Sequence, residues 1–485
     1  MVKRGLKGGQ LRLLSEDEVR DIHVAALEVL SQVGMECSSP RIMEIFKEAG
    51  ADVCEKTRRI RIPEYIIEDS LKKAPSKVVL CGRNPENDIL LEGDRVYFGM
   101  GGTPTPYILD LYTGDFRRPT KKDMEDVTRL GDALENMSFL MTIAGAFDVP
   151  YEVEYLHEFD ALFNNTTKPI VYSTPGADAT RRVLEMASVI VGGPEELRER
   201  PIFCLYAETA SPLMFPKANE NMIECAKAGV PITLGPMPLA GGTGPITITG
   251  ANVIGLSENL AAISLVQLVK PGAPILLAAF AGLMDPRTGR CAYGSPEFAL
   301  GVNLVNAQLA RFYDLPTFGF GGPSDSAVPD AQAGSEVTMN LMISALSGIN
   351  LIHDCGYLSG GSVGSPEMAV ICNEVAGVVS RILKGVSTDD EWLAVDVIKK
   401  VGPGGHFMAE PHTLKHLKEV VFIPELFDRR PEMVWKADGA KSLRQRANAK
   451  AREILKTHKP EPLSDDVKEK IREIIKKAEK ELVEH

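Results

Sequence analysis

Short apolar runs recur along the chain from about residue 139 onward, and longer stretches of helical periodicity separate them. The seven runs are 139–147, 169–174, 201–208, 231–236, 273–281, 315–321 and 349–354. Residues 178–191 and 255–269 are examples of the helical stretches between them. Strands that are apolar throughout and alternate with helices indicate a parallel sheet covered by helices on both faces. The pattern therefore predicts an α/β fold.

Seven strand–helix units fit two architectures, a TIM (β/α)8 barrel with one strand still to be placed or a doubly wound open sheet. We favour the barrel because every run is equally apolar and none has the polar character of an edge strand. The eighth strand is then predicted at residues 96–99 or at residues 405–410.

The first 120 residues follow a different pattern. Ser15 and Glu18 have the spacing of a capping box, and the helix that they begin is expected to end at Gly34. Two shorter helices are predicted at 40–50 and 63–73, and a β-rich stretch follows. This part of the chain is an α+β N-terminal extension in our interpretation.

The other end of the chain, residues 463–483, is a charged amphipathic stretch. We expect a helix there that packs on the outside of the barrel or on a sister subunit. The predicted division of the chain is an N-terminal extension (1–120), a barrel core (121–440) and C-terminal helices (441–485).

The composition of the chain argues against several classes of binding partner. The chain has 54 basic and 66 acidic side chains and a formal net charge of −12, which argues against nucleic acid because phosphate binding needs a basic face. Eight scattered cysteines without a CxxC pair suggest a reduced, cytoplasmic protein. The N-terminus has no apolar signal segment and the apolar runs are too short to span a membrane, so we expect no membrane association.

Glycine-rich segments follow the predicted strands, where the active site of a barrel lies. Examples are GMGGTPTP (99–106), GPMPLAGGTGP (235–245) and GFGGPSDSAVPDAQ (319–332). None of them matches the phosphate-binding patterns GxGxxG or GxxxxGK[ST]. We interpret them as tight turns that leave the barrel mouth open.

Carboxylates and aromatic residues gather at the same predicted strand ends. His353, Asp354 and Asp325 are the candidate catalytic residues, because they lie at or just after predicted strands. The candidate substrate-binding residues are Tyr206, Glu208, Phe280, Phe318, Phe320, Asp330 and Tyr357. Aromatic faces together with carboxylates suit a quaternary ammonium cation, which has no N–H to donate. The alternative is that the aromatic residues only fill the barrel core.

Two histidine patterns in the sequence are partly similar to motifs that bind a metal or cobalamin. His412 and His416 have helical spacing but lack the HExxH context, and we expect no metal site. The nearest match to a cobalamin-binding DxHxxG motif runs from Asp21 to Ala26 and does not end in glycine. His23 in that match is explained by the amphipathic first helix.

The chain resembles the trimethylamine:corrinoid methyltransferase family over nearly its whole length. The segments that carry the resemblance are HVAALEVLSQVGMECSSP (23–40), FGMGGTPTPYILD (98–110), RRPTKKDMEDVTRL (117–130), GFGGPSDSAVPDAQAGSE (319–336) and GINLIHDCGYLSGG (348–361). The resemblance implies a TIM barrel that takes part in methylamine metabolism. It also implies transfer of a methyl group from a methylated amine to a corrinoid (cobalamin) that a separate small corrinoid protein supplies and that this chain does not bind permanently.

Members of this family that use trimethylamine carry pyrrolysine, and this sequence has none. The resemblance then implies a quaternary amine such as glycine betaine, proline betaine or carnitine as the methyl donor. Two other functions stay open: an acid/base lyase or hydrolase that uses Asp325, His353 and Asp354, and a non-catalytic amine-binding protein. We also expect a homo-oligomer, as for many large barrels.

Overall fold

The computed structural model describes residues 2–483, and eight parallel strands form its centre. In chain order these strands are β1 (Arg95–Met100), β2 (Met137–Leu140), β3 (Ile170–Tyr172), β4 (Phe203–Ala207), β5 (Ile232–Leu234), β6 (Ile275–Leu276), β7 (Phe318–Phe320) and β8 (Leu351–Cys355). From β1 to β6 each strand pairs in parallel with the next, β7 pairs with β8, and β8 returns to pair with β1. The carboxyl ends of all eight strands, the barrel mouth, therefore lie on one side.

The seam between β6 and β7 completes the ring. A single parallel bridge between Leu277 and Thr317 joins the two strands there. The predicted TIM barrel is thus confirmed. Its eighth strand is the one that the sequence allowed at 96–99, which starts the barrel inside the predicted N-terminal extension, whereas residues 405–410 are irregular.

A helix follows every strand on the outside of the barrel. The eight helices are α1 (Lys121–Ala133), α2 (Glu154–Asn165), α3 (Ala177–Val191), α4 (Glu220–Ala228), α5 (Ile248–Val269), α6 (296–312, with a π-helical centre at Ala299–Val305), α7 (Ala331–Ser347) and α8 (Pro366–Leu383). A short helix, Pro194–Glu199, follows α3. Among residues 2–483, α5 alone has the length and hydropathy of a membrane span, and 78% of that window is buried inside the protein.

Strand β6 has only two residues although the apolar run around it is nine residues long. Asparagine side chains from the helices take over the pairing beyond its end. Asn259 on α5 accepts from Ala278 N and donates to Ala278 O, at 2.8 and 2.9 Å. Asn306 on α6 accepts from Ala279 N and donates to Phe318 O, both at 2.9 Å. These amides satisfy backbone groups that a longer strand would pair with its neighbours.

The N-terminal extension packs its helices along α5 and pairs one strand with the loop after β4. Its elements are the strand Leu6–Lys7, the helix Glu16–Glu28 with a π-helical end at Val29–Val33, the strand Met35–Cys37, the helix Pro40–Glu48, the strands Asp52–Cys54 and Arg59–Arg61, the helix Glu64–Lys73, and the strands Lys77–Leu80 and Ile89–Glu92 around a 3-10 turn at Pro85–Asn87. The predicted capping box at Ser15 is present, and Gly34 ends the helical stretch with φ +77°. Leu6–Lys7 pairs antiparallel with β1 and attaches the extension to the barrel.

Small sheets cover part of the barrel mouth. Their strands are Tyr107–Leu109, Phe116–Arg117, Met214–Phe215, Leu239–Ala240, Gly282–Leu283, Tyr357–Leu358 and Val363–Gly364. Short 3-10 helices at Tyr151–Val153 and Lys217–Asn219 lie in the same loops. The loops after β1 and β8 share one of these sheets, which fixes them relative to each other.

The chain leaves the barrel after α8. Four short helices follow, at Asp390–Leu393, Val395–Val401, Pro411–Val420 and Glu432–Ala437. The chain then returns with the helix Leu443–Thr457 against α8, and ends with the helix Asp465–Leu482. That last helix packs on α3 of its own barrel, where Arg182 and Glu481 form an ion pair at 2.8 Å.

Candidate functional site at the barrel mouth

His353 and Asp354 form a buried pair at the end of β8. The pairing of β8 with β1 shifts by one residue between Ile352 and Cys355, which is a β-bulge. Consecutive strand residues normally point to opposite faces. Here the extra residue and the left-handed backbone of Asp354, at φ +68°, bring the two side chains together. His353 Nδ1 lies 2.6 Å from Asp354 Oδ1.

The imidazole of His353 is held on three sides. Its ring stacks on Phe318 at 4.1 Å between centroids and packs against Phe320 at 4.2 Å. With the proton on Nδ1 the ring donates to Asp354, and Nε2 is then an acceptor. Nε2 is buried and has no hydrogen-bond partner among residues 2–483. The lone pair of this nitrogen is therefore left unsatisfied inside the fold.

Glu208, one residue past the end of β4, faces an open recess. Solvent reaches its side chain, although protein atoms surround the carboxyl group and the residues on both sides of it, Ala207 and Thr209, are buried. The Tyr206 hydroxyl donates to Glu208 Oε1, and the Tyr206 ring lies 5.7 Å from the ring of Phe318. The recess thus joins Glu208 to the aromatic residues that hold His353.

Electrostatics at the recess favour a cation. Burial raises the pKa of Glu208, whereas the hydrogen bond from Tyr206 and the nearby imidazole of His353 lower it and Asp354 raises it further. Burial also raises the pKa of Asp354, against the effect of His353. The basic group that acts on both carboxyls is therefore one imidazole. Two carboxyl groups that have a single basic group near them to balance their negative charge are typical of functional sites.

The aromatic residues have two roles: some pack beneath His353, and others line the recess. Phe280 and Phe318 have no exposed surface, and Phe280 packs edge-on against Phe320 at 4.9 Å. These two rings support His353 and Phe320 from below, so we change their expected role from ligand contact to packing. Tyr206 and Tyr357 are also nearly buried, and their hydroxyls are held by Glu208 and by Thr103 O.

Tyr293 joins the site although the sequence did not predict it. Its ring is 6.1 Å from that of Phe320, and Asp354, Glu208 and Asp325 all raise the pKa of its hydroxyl, after burial as the largest cause. It lies in the long segment between β6 and α6, where hydrophobic periodicity gives no strand end. Only the tertiary fold brings Tyr293 to the mouth.

Glycine at position 102 makes room for Asp354. A Cβ atom there would collide with the Asp354 carboxylate and would lie 2.9 Å from the Tyr357 hydroxyl oxygen. The backbone also holds the pair, because Asp354 N donates to Gly101 O at 2.8 Å. The segment GMGGTPTP is therefore a close-approach loop rather than a phosphate cradle.

Asp325 lies on a second cavity, the rim cavity, of about 540 Å³. Its lining includes Arg290, Cys291, Asp325, Glu336 and Gly360. Asp325 accepts from Tyr293 N and Gly294 N at 3.2 and 2.8 Å. Burial raises its pKa and Arg290 lowers it. The rim cavity thus has both a carboxylate and a guanidinium.

Arg290 is a second residue that the sequence did not predict. Its Nη2 donates to Ser359 O and Ser362 Oγ at 2.6 and 2.7 Å. Arg290 Nη2 and Asp325 Oδ1 both lie within 3.5 Å of the point where a Cβ on Gly360 would be. These bonds hold the guanidinium beside the loop after β8.

The structure does not bring Asp330 into the site. Asp330 is the N-cap of α7, where it accepts from Ala333 N at 3.0 Å and from Ser326 Oγ at 2.9 Å. These bonds lower its pKa. Its carboxylate stabilises a helix end instead of lining the mouth.

The remaining histidines have contacts within the fold. His23 Nδ1 lies 2.7 Å from the Tyr313 hydroxyl, on the buried side of the first helix. His416 contacts Glu391 at 3.1 Å and packs on Trp392. Among residues 2–483, no group of three or more His, Cys, Asp or Glu side chains is arranged to hold a metal ion.

The loop that carries Glu208 is held from behind by Glu258 on α5. The Glu258 carboxylate accepts from Leu213 N at 2.7 Å, Ser211 Oγ at 2.8 Å and Thr209 Oγ1 at 3.3 Å. Burial raises its pKa to about 7 despite these bonds. A buried acid of this kind ties the loop after β4 to the helix layer.

Comparison with known proteins agrees with this architecture. The family model "Trimethylamine methyltransferase (MTTB)" matches residues 3–483. A protein named trimethylamine methyltransferase MttB from Desulfitobacterium hafniense (strain DSM 10664 / DCB-2) is 38% identical, over 99% of this chain and 97% of its own. A glycine betaine methyltransferase from D. hafniense (strain Y51) is 34% identical, over 97% and 98%.

A solved structure of the monomethylamine methyltransferase (MtmB) of Methanosarcina barkeri aligns with a TM-score of 0.47 at 14% identity, covering 99% of this chain and 95% of that one. The matches of the family model and of the two curated relatives extend over nearly the whole sequence, including every strand of the barrel. The chain therefore belongs to the trimethylamine methyltransferase (MTTB) family.

Proposed function

We propose that this methyltransferase moves a methyl group from a quaternary amine of the glycine betaine, proline betaine or carnitine type to the corrinoid of a separate small protein. The observation that carries the proposal is the recess at the barrel mouth, where Glu208 faces outward beside the His353–Asp354 pair. Burial raises the pKa of both carboxyls. A bound cation would favour their ionised forms.

The residues of the recess give such a cation several contacts. Glu208 attracts it, and bound positive charge in turn favours the ionised carboxylate. Tyr206 and the half-buried Tyr293 offer aromatic rings beside that charge. His353, with the unsatisfied acceptor Nε2, orients the substrate from the buried side of this space. Together these contacts place one N-methyl group toward the open side of the barrel.

A substrate with an acidic end finds a second partner in the rim cavity. Arg290 lies there next to Asp325, and Tyr293 lies between this cavity and the recess. A guanidinium binds carboxylates with two parallel hydrogen bonds. This supports a zwitterionic betaine over an amine that carries only a cation.

The chemistry needs little more than positioning and removal of water. The reduced corrinoid supplies a strong nucleophile that takes the methyl group. The bond from nitrogen to methyl carbon breaks, its electron pair stays on nitrogen, and a neutral tertiary amine leaves. Because the leaving group is neutral, no residue of the chain has to donate a proton to it. The low polarity around Phe318 and Phe320 excludes water from the reacting methyl group.

The methyl acceptor has to approach from the open side of the mouth. Residues 2–483 fit that requirement better than they fit a resident corrinoid. The motif most similar to a cobalamin-binding sequence is in the first helix, where His23 is already bonded to Tyr313. The glycine-rich loops after β1 and β8 leave a thin rim around Asp354. A flat, bulky group on a partner protein has access there.

The direct test mixes the chain with reduced cobalamin, or with a reduced corrinoid protein, and one methyl donor at a time. Glycine betaine, proline betaine, carnitine, choline and trimethylamine form the panel, and loss of the cob(I)alamin absorbance is the readout. We expect transfer from at least one quaternary amine. Transfer from trimethylamine alone, or from no member of the panel, would contradict the proposal.

The matched variant is the double substitution D325N/D354N, which removes two carboxylates with little change in volume. We expect it to lose most of the transfer activity. Full activity in this double variant would count strongly against a cation site at the mouth. D466N on the exposed face of the last helix is the control for the loss of a negative charge alone.

A further inference from the structure

We propose that residues 384–437, here called the arm, form the interface through which two copies of this chain associate. The arm leaves the barrel at the end of α8 and returns before the helix Leu443–Thr457. Thirteen of its large apolar side chains are exposed. Val386, Met408, Ile423 and Met433 are each at least three-quarters exposed, at 86%, 79%, 75% and 82%.

The arm has almost no core of its own. Its four helices contain a single buried residue, His416, and none of them packs extensively on the barrel. Isolated helices this short are unstable in water, since helix formation is cooperative and most helical stability comes from packing. Something outside the chain must therefore cover them.

The base of the arm is nevertheless fixed in place. Phe422 packs over Gly377 in the middle of α8. Glu374 on α8 accepts from Leu426 N and Phe427 N, both at 3.2 Å. Arg381 Nε donates to Val420 O at 2.8 Å. The arm is thus presented from a defined position on the barrel flank, as an interface requires.

Size and charge both indicate a second copy of the chain as the occupant. The exposed side chains offer on the order of 1,000 Å² of apolar surface, which is the scale of one side of a stable interface. The arm has eight basic and nine acidic side chains, whereas the whole chain has a net charge of −12. Two acidic chains approach each other most easily through such a balanced face.

A permanent partner also fits better than a transient one. Monomeric proteins rarely expose an apolar patch of this size, so the arm must be covered whenever the protein is folded. Another copy of the chain is always present in equal amount, and a two-fold pairing lets each arm cover the other subunit. A carrier of the methyl acceptor is instead expected at the barrel mouth.

Tryptophan fluorescence offers a direct measurement. The chain has two tryptophans, Trp392 and Trp435, and both are in the arm and only partly buried. The full-length chain is diluted from about 100 µM to about 0.1 µM, and its mass in solution and its tryptophan emission are recorded together. We expect a multiple of the chain mass at high concentration, and an emission that shifts to the red as the mass falls.

Two variants locate the contact. We expect M408D/L414D and M433D to have the mass of a single chain at concentrations where the wild type is associated, with an unchanged far-ultraviolet circular dichroism signal. Tyr151 is also exposed, at 83%, but lies outside the arm, so Y151D is the matched control and should associate normally.

Three results would overturn the proposal. The first is a wild-type chain with the mass of a monomer over the whole dilution range. The second is association that both arm variants retain. The third is a change in mass and emission that occurs only when a corrinoid-carrying protein is added. The dilution series needs no variant, so a variant that fails to fold does not leave the question open.

Discussion

At the scale of single residues, the site depends on the pairing of His353 with Asp354. The two side chains come together only because a bulge and a left-handed backbone at Asp354 replace regular strand geometry. Such a backbone costs about 1–3 kcal/mol and persists where the surroundings hold it. The bond from Asp354 N to Gly101 O and the space at Gly102 hold it here.

Replacing Glu208 with glutamine should weaken substrate binding about tenfold, because it removes a full charge beside the proposed cation. In the wild type, affinity for glycine betaine should fall as the pH is lowered from about 8 toward the ordinary carboxyl pKa. The protonated form attracts no cation, and burial raises the pKa of Glu208 above its ordinary value. Calorimetric titration across this pH range measures both effects.

Y206F is the matched control for this prediction. It keeps the carboxylate but removes the hydrogen bond that lowers the pKa of Glu208. As the pH is lowered, the affinity for glycine betaine should therefore begin to fall at a higher pH in Y206F than in the wild type. An unchanged pH profile in E208Q would show that another group binds the cation.

A substitution of Arg290 tests whether the substrate has an acidic end. Replacing it with glutamine should raise KM for glycine betaine about tenfold, since a charged pair of hydrogen bonds is lost, and should leave KM for choline unchanged if choline is a substrate. Kinetics with both donors give the answer. Arg287, which is paired with Asp285 on the same rim, is the control position. Equal effects on both donors would assign Arg290 a structural role.

At the scale of secondary-structure elements, the sequence predicted most of the barrel. Buried parallel strands have no polar side, so their apolar runs were visible one by one. The eighth strand was ambiguous because residues 96–99 lie in a β-rich extension. The run at 273–281 predicted a long strand, but only Ile275–Leu276 pairs regularly, and asparagines on α5 and α6 bond the rest. Propensity does not reveal such a replacement.

The loop after β4 gives a prediction at this scale. E258A removes the acceptor of three hydrogen bonds and leaves Leu213 N without its buried partner. We expect it to lower the free energy of unfolding by about 2–4 kcal/mol and to weaken substrate binding, because Glu208 begins the same loop. E258Q keeps one acceptor oxygen and should lose much less. Thermal unfolding and calorimetry of both variants separate the two effects, and equal losses would contradict this role.

At the scale of the whole molecule, a buried acid on α2 makes stability depend on pH. Glu158 on α2 accepts from Ala146 N at 3.4 Å, and the Tyr172 hydroxyl at the end of β3 also lowers its pKa. Burial raises its pKa to about 8, and Glu154 adds to the shift. Between pH 4.5 and 8 the folded protein holds a proton that the unfolded chain has lost. Its stability contribution is therefore lost as the pH rises through this window.

Replacing Glu158 with glutamine should remove this pH dependence. At pH 8 the variant should be more stable than the wild type by on the order of 2 kcal/mol, whereas at pH 5 the two should be similar. Thermal unfolding at several pH values measures the difference. E154Q, at the more accessible neighbour, is the control and should have a smaller effect. A parallel pH dependence in wild type and E158Q would contradict the assignment.

The sequence predicted less at this scale than at the level of elements. Residues that lie next to strand ends, such as His353 and Glu208, were found because a barrel brings all strand ends together. Tyr293 and Arg290 were missed because the segment between β6 and α6 has no periodic pattern. The arm was included in the predicted barrel core, since its short amphipathic helices have the composition of barrel helices, although none of them packs extensively on the barrel.

The hydrogen bonds from Asn259 and Asn306 to the backbone after β6 also determine how this part of the barrel moves. The N–H groups of Ala278 and Ala279 are bonded to side chains of α5 and α6 instead of to a neighbouring strand. Their exchange with deuterium should then follow the opening of those two helices, at a free energy different from that of the other strands. The segment that follows β6 is therefore expected to move together with the helices α5 and α6. A local opening of α5 or α6 would free this segment without unfolding the rest of the sheet.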